Sequence, residues 1–438
     1  MPANLEELLS KAQKVGDAAE VFWRRAAGTP VTYENNKLKE IQTNATFGVA
    51  LRLIKDGRIG FSTTTKEGDW DTLVDNALSA STYGAPASFE FAPRATPNKV
   101  EIDDEKVASL PVEDLVDTGR QIIEAVTTYD PQVLTTVGLT RSVHESGVLT
   151  TSGFSGRYRR TEYEVFVLGH LVEGENMLDV YDGDGSTDLS VDVPRLYQKV
   201  IEDLRLGRVN IPIKTGRYPA ILTPNAAGDL LRPFISCLDG KAVERGISPW
   251  RDKLGQALFS PAFTLHDDPT LARSPASAWF DDEGVPTRKT TLIDRGQLAS
   301  FYLDLRTAKA LGRESTGNGW RHGLESAPAP ATSQLVLPPG QASLASMIKG
   351  IRDGILIDQL MGAWAGNLLA GEVNGNVVLG FKIENGRITG RIKDCMFSAN
   401  AFEAMHSQLS GLSRETKRTF DGTLPWILLD GVNISAKG

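Results

Sequence analysis

Apolar side chains at Leu5, Leu8, Leu9, Ala12 and Val15 recur among charged neighbours with the 3.6-residue period of an amphipathic helix. The pattern then changes to short runs rich in β-branched and aromatic residues, predicting strands over 21–25, 31–41, 47–54 and 59–64. The last two flank Lys55-Asp56-Gly57-Arg58, where the Asp-Gly step favours a tight hairpin. Helical spacing resumes over 69–80 through Trp70, Leu73, Val74, Ala77 and Leu78. A small antiparallel sheet bracketed by helices is the expected product.

Residues 83–99 carry Pro86, Pro93 and Pro97 with little periodicity and read as a linker. Beyond it a helix over 111–127, opened by Pro111, and strands over 133–138, 147–151 and 159–172 predict a second α+β unit. Residues 181–188 (Tyr-Asp-Gly-Asp-Gly-Ser-Thr-Asp) read as a solvated turn before a helix starting near Pro194. From Gly216 a strand over 218–222 and a helix over 225–238 lead into a strand-rich remainder. Its hairpins are predicted at Asp294-Arg295-Gly296 and Glu384-Asn385-Gly386. No fixed-period repeat is evident. The expected fold class is α+β: an N-terminal region of small antiparallel sheets flanked by helices, then a mostly antiparallel, strand-rich C-terminal domain. The expected units are 1–85, 100–210 and 215–438.

With 438 residues, several units sharing interfaces are expected. The net charge of −8 and the absence of a basic run argue against direct nucleic-acid binding. No basic, apolar, small-residue leader and no run of eighteen apolar residues occurs, so a soluble cytoplasmic protein without membrane partners is expected. Cys237 and Cys395 stand far apart outside any CxxC spacing and read as free, buried thiols.

Motifs that carry chemistry are sparse. Dinucleotide and phosphate-loop signatures are absent, and Gly240-Lys241 lacks the glycine and hydroxyl residue that a phosphate loop needs. Gly153-Phe154-Ser155-Gly156, and Ser142 near His144, are only fragments of a serine hydrolase site. Counted from Asp182, an EF-hand would need glycine and glutamate where Thr187 and Val193 stand. No two of His144, His170, His266, His322 and His406 lie at the i, i+4 spacing of a helical zinc site, and His144-Glu145 is followed by Val148 where a zincin needs its second histidine. His266 beside Asp267 and Asp268 is the best isolated metal candidate, against a strand end leading into the turn before Pro269.

Several segments taken in order resemble the TldD/PmbA family, also described as modulators of DNA gyrase. They are the run from Val31 to Thr65, then DGKAVERGISPWRDKLGQ, LHDDPT, WFDDEGVPTRKTTLIDRGQL, KALGRESTGN and the closing LPWILLDGVNIS. The resemblance implies two branches that pair in the cytoplasm, of which only the TldD branch carries a zinc-binding His-Glu-x-x-x-His helix before a Gly-Leu-Glu-Gly-like turn. Here that turn resembles Cys237-Leu238-Asp239-Gly240, so the motif would fall at Leu231-Arg232-Pro233-Phe234-Ile235-Ser236, with Pro233 kinking the helix. The third ligand, a cysteine in that branch, would fall near Gly411, and Cys395 is too far upstream.

The resemblance therefore implies a PmbA/TldE-like subunit with no catalytic, cofactor-binding or metal-ligating residues of its own. Zinc is expected in a TldD-like heterodimer partner, and unfolded or small peptides, including antibiotic precursors and antitoxins, as substrates. This chain would supply a sheet edge or wall to the peptide channel. Two alternatives are a homodimeric peptide-binding modulator without proteolytic activity, and a diverged hydrolase working around Cys237 or His266.

Overall fold

The computed structural model describes residues 4–174 and 176–436. Helix α1 (Leu5–Val15) leads into β1 (Ala18–Glu34), β2 (Lys37–Ile41), β3 (Asn44–Lys55), β4 (Arg58–Thr64) and α2 (Trp70–Ser81). After an irregular segment come α3 (Glu105–Ala108), α4 (Val112–Tyr129), β5 (Leu134–Thr150), β6 (Ser155–Glu173), β7 (Asn176–Ser186) and α5 (Val193–Gly207). β1 to β7 form one seven-stranded sheet, because β5 pairs antiparallel with β1 from Glu20↔Thr150 to Tyr33↔Val137. Strands on both sides of the proline-rich segment thus belong to one sheet.

Three strand expectations change. The span 31–41 is not one strand: Asn35 (φ 50°) and Asn36 (φ 65°) reverse the chain into β2, since asparagine tolerates the left-handed region. Residues 133–138 and 147–151 are parts of the single strand β5, whose residues 141–146 are all half-buried and so lack in-out alternation. Residues 181–186 are no turn but the end of β7, paired from Leu168↔Tyr181 to Tyr163↔Ser186. Aspartate and glycine disfavour strands, which hid this one. As an edge strand it uses them: Asp182 and Asp184 each accept the N–H of the following glycine at 2.9 Å. Arg391 and Arg418 donate to the carbonyls of Met177 and Gly185, so side chains occupy part of the backbone of this edge.

The C-terminal part contains β8 (Gly216–Leu222), β9 (Leu265–Asp267), β10 (Thr290–Asp294), β11 (Gln297–Leu298), β12 (Gly319–Trp320), β13 (Ala329–Pro330) and β14 (Leu335–Val336). It continues with β15 (Asp353–Met361), β16 (Glu372–Glu384), β17 (Arg387–Arg391), β18 (Cys395–Asn400), β19 (Leu409–Arg418) and β20 (Gly422–Ala436). β8 pairs parallel with β15 and antiparallel with β20, which closes β20-β18-β16-β15-β8 into a ring. The ring packs on α6 (Pro224–Leu238), which begins with proline at its first turn and runs on through Pro233. The expected hairpins form, with Arg295 and Gly296, and Asn385 and Gly386, at positive φ. The molecule is α+β with mostly antiparallel sheets.

Helices α4 and α5 cover one face of the large sheet and sit between it and the ring, whose Ile221, Leu356, Phe381 and Ile383 share their core. The opposite face is covered only at one end, by loops of the C-terminal part. There Arg52 donates to Glu20 (Nε, 2.8 Å) and across the junction to Glu283 (2.9 Å), and Arg321 returns to Glu20 (3.1 Å). No side chain of these four is more than 4% exposed. Phe89 and Phe91 from the proline-rich segment face the Arg52 guanidinium, and Phe22 and Phe61 face that of Arg321. Asp281 holds the supporting loop through the N–H groups of Glu283, Val285 and Gly319.

Replacing Arg52 by methionine strands the buried Glu283 and leaves Glu20 with Arg321 alone, and urea unfolding should show a loss of about 3–5 kcal/mol. Burial, partly offset by Arg52, lifts the Glu283 carboxyl from the ordinary 4.5 to about 7. Between those values the native state keeps a proton that the unfolded chain has released, so this contribution to stability is lost as pH rises from about 4.5 to about 7. Glu283→Gln should flatten the fall in urea midpoint across that window.

Candidate functional site

Where the C-terminal loops stop, the second face of the large sheet lies open. Cross-strand pairing places Gly28, Pro30, Thr140, Ser142, Glu162, Glu164, Phe166 and Tyr181 on it. Four of these eight, Gly28, Pro30, Thr140 and Ser142, are small and half-buried. Phe166 and Tyr181 form the exception, an aromatic pair with ring centroids 5.8 Å apart and exposures of 39% and 37%. Arg160 marks the inner boundary by donating to the Ser277 carbonyl at 3.3 Å.

Across from Tyr181 stand the first turns of α6, the end of β15 and the β19–β20 turn. Burial, together with the charges of Asp358, Asp229, Asp182 and Asp421, lifts the Tyr181 phenol above its ordinary 10. Asp229 and Asp421 share Arg232 at 3.0 and 3.7 Å, and both carboxyls are raised by burial. Asp358 is 4% exposed, and its carboxylate takes only a long 3.4 Å contact from Gln359. Behind it Lys199 and Asp203 form an i, i+4 pair on α5, in which burial pushes Asp203 up to about 7. Asp182 is 1% exposed and meets Lys417 and, at 3.6 Å, Arg195. Asp229, Asp358, Asp421 and Asp182 make the surroundings of Tyr181, at the β7 edge of the open face, rich in carboxylates.

The residues singled out from sequence lie mostly elsewhere. Ser142 and His144 are on the open face, 2.8 Å apart, and Glu162 is 3.3 Å from the same imidazole nitrogen. A catalytic triad needs the serine and the carboxylate on different ring nitrogens, so this is no charge-relay arrangement. His266 is buried beside Thr291, with Nδ1 at 3.1 Å from its hydroxyl, and burial lowers its pKa. Asp267 is committed to Asn318, Ser333 and Gln334, and Asp268 to Thr270. Ser155 opens β6 after the Gly153 turn, and Gly240-Lys241 opens a helical turn capped by Asp239. Among the described residues no group of three or more His, Cys, Asp or Glu is arranged to hold a metal ion, and no helix is long and apolar enough to cross a membrane. Sequence reasoning took Tyr181 only as the start of a solvated turn and did not mark Asp229, Asp358 or Asp421; the acidic run from Asp182 and the Lys199–Asp203 helical spacing were local signals nearby.

Residues 19–81 match the PmbA/TldA metallopeptidase domain 1, 105–205 its central domain, and 215–436 its C-terminal domain. This chain belongs to the PmbA/TldA metallopeptidase family. It is similar to a metalloprotease of Methanocaldococcus jannaschii, 24% identical over 92% of this chain and 91% of the relative. A metalloprotease PmbA homolog of Haemophilus influenzae is 21% identical over 97% of this chain and 93% of its own length. The crystal structure of TldE from Thermococcus kodakarensis shares the fold, with a TM-score of 0.93 at 24% identity over 99% of this chain and 100% of that one.

The description of the PmbA/TldA family implies a metal, and a zinc centre needs imidazole, thiolate or carboxylate donors. The positions that the sequence resemblance marks do not fit one. Leu231 is fully buried in the α6 core, Arg232 holds Asp229 and Asp421, and Ser236 is half-buried. Phe234 packs against Trp250, Phe259, Phe263 and Phe402 at 5.1–5.6 Å. Gly411 lines a shallow pocket of ≈ 360 Å³ with Pro338, Pro339 and Leu412, none of which carries a donor side chain.

Burial pushes the Cys237 thiol up to about 12 and Cys395 up to about 11, so neither supplies thiolate at neutral pH. A thiol-reactive chromogenic disulfide at pH 8 should find no reactive thiol in the native protein, and two once guanidinium unfolds it.

Proposed function

We propose that this chain is the PmbA/TldE-side subunit of a cytoplasmic two-chain metallopeptidase acting on unfolded or small peptides, with the zinc site carried by a TldD-like partner. The observation that carries the reading is the state of α6. Where the resemblance would put a metal-binding helix, this chain has a packed aromatic cluster around Phe234 and a cation at Arg232. Family membership supports peptide chemistry for the assembly, and the lack of donor side chains at 231–236 and 411 supports the reading that catalysis lies in another chain.

This chain would contribute the wall along which a peptide lies. The half-buried residues of the sheet face would admit an extended chain, and the carboxylates around Tyr181 would border it at the β7 edge. Side chains of Asp182, Asp184, Arg391 and Arg418 take backbone groups of Met177, Gly183 and Gly185, which disfavours addition of a substrate strand to β7. The face carries the recognition, through side chains.

Metal analysis and cleavage of unfolded casein, on the chain alone and mixed with a TldD-like protein of the same source, test the proposal. Expected are no bound zinc and no cleavage by the chain alone, and chelator-sensitive cleavage in the mixture that exceeds that of the partner alone. Stoichiometric zinc with cleavage by this chain alone would overturn it. A stable homodimer that leaves the cleavage of every mixture unchanged would establish the modulator alternative instead.

A further inference from the structure

We infer that the stretch of the open sheet face beyond Glu164 binds an extended peptide segment that carries apolar side chains on every second residue. This rests on the reading of that face as a peptide wall and adds the chemistry of what it accepts.

An antiparallel sheet with one face on the core and the other in solvent alternates apolar inward and polar outward. Along β6, Val165, Val167 and Leu171 obey this and are buried in the core shared with α4 and α5. The even-numbered positions point the other way and begin polar, at Arg160, Glu162 and Glu164. From Phe166 onward they turn apolar, with Phe166, Leu168 and Val172. The flanking strands change with them: the register sets Tyr181 beside Leu168, Met177 beside Val172 and Leu134 beside His170. Five of these side chains, those of Leu134, Phe166, Val172, Met177 and Tyr181, are 37–59% exposed, so no described segment of this chain buries them. The imidazole and the carboxylate of the stretch, His170 and Asp179, hydrogen-bond each other at 2.5 Å. The surface therefore asks for apolar contact and not for a counter-charge.

Size decides what fits on it. From Phe166 to Val172 a strand advances about 20 Å, and from β5 to β7 the strand axes span about 10 Å. A patch of roughly 200–300 Å² falls well short of the roughly 800 Å² that each partner of a stable protein pair contributes. It matches about six residues of one extended chain. Relief within the patch suits side chains of such a chain. Phe166 stands between Gly138 and Gly183 in the register, and its ring leans toward Gly183. Where a Cβ would sit on Gly138 the nearest atom is Phe166 Cβ at 3.9 Å, so a slot lies open on that side of the ring. Met177, with an unbranched and polarizable side chain, adapts to apolar groups of different shape. Apolar residues at every second position are what a core-facing strand exposes when it unfolds, which makes unfolded segments the class of peptide this stretch selects.

Fluorescence anisotropy with two labelled peptides of equal length and charge, glycine-serine chains carrying leucine or glutamine at alternate positions, tests this. It is run on the full chain alone and mixed with its TldD-like partner, with chelator present so that nothing is cleaved. The leucine peptide should bind about tenfold or more tighter than the glutamine peptide, and added salt should not weaken it, because no ion pair is formed. F166T/V172T on the middle strand, which keeps strand-forming residues, should bring the leucine peptide to the level of the glutamine one. L134T/M177Q on the flanking strands should do the same, and keeps the test decisive if the first variant misfolds. Equal binding of the two peptides, unaffected by either variant, would overturn the apolar selection and leave the peptide wall standing. Loss of leucine-peptide binding on adding the partner, or dissociation by either variant of a dimer followed by sedimentation velocity, would make the stretch a subunit interface and overturn the inference. No binding of either peptide in either sample would overturn the wall itself.

Discussion

The arrangement of the two halves depends on one buried ionic junction. Arg52 sits between Glu20 on its own sheet and Glu283 from the C-terminal part, and Arg321 closes the set from the far side. Such a group tolerates little rearrangement, because separating any member leaves an unpaired charge away from water. Hydrophobic contacts around Phe22, Phe154, Tyr158 and Phe280 add area to the same junction but less directional constraint. The junction fastens the C-terminal loops to one end of that face and leaves its other residues half-buried.

What was legible in the sequence was local. The turns at Asp56-Gly57, Arg295-Gly296 and Asn385-Gly386 could be read because positive φ at two successive residues is a property of the turn alone. The helices at α1, α2, α4 and α6 could be read because each buries one stripe. The middle of β5 and the whole of β7 could not, since their pairing partners, not their own propensities, hold them extended. Closure of the ring was likewise hidden: β8 meets β20 across some two hundred residues of chain.

The candidate site divides in the same way. Loss of metal donors on α6 was visible through the resemblance of Cys237-Leu238-Asp239-Gly240 and the residues before it, and the structure adds what fills the place, a cluster of rings around Phe234. The grouping of carboxylates around Tyr181 was not visible, because Tyr181, Asp229, Asp358 and Asp421 come from four distant segments. The WFDDEG segment, which helped mark the family, turns out to act in the junction: Asp281 shapes its loop and Glu283 receives Arg52.

The sealed margin of β7 matters beyond substrate orientation. A protein proposed to work among unfolded chains meets, at every encounter, material ready to recruit a bare strand into a growing fibril. Carboxylates folded back onto Gly183 and Gly185, with guanidinium groups over the carbonyls of Met177 and Gly185, leave such material less backbone to template on. Partial protection of this kind lowers the chance that an encounter ends in joint aggregation.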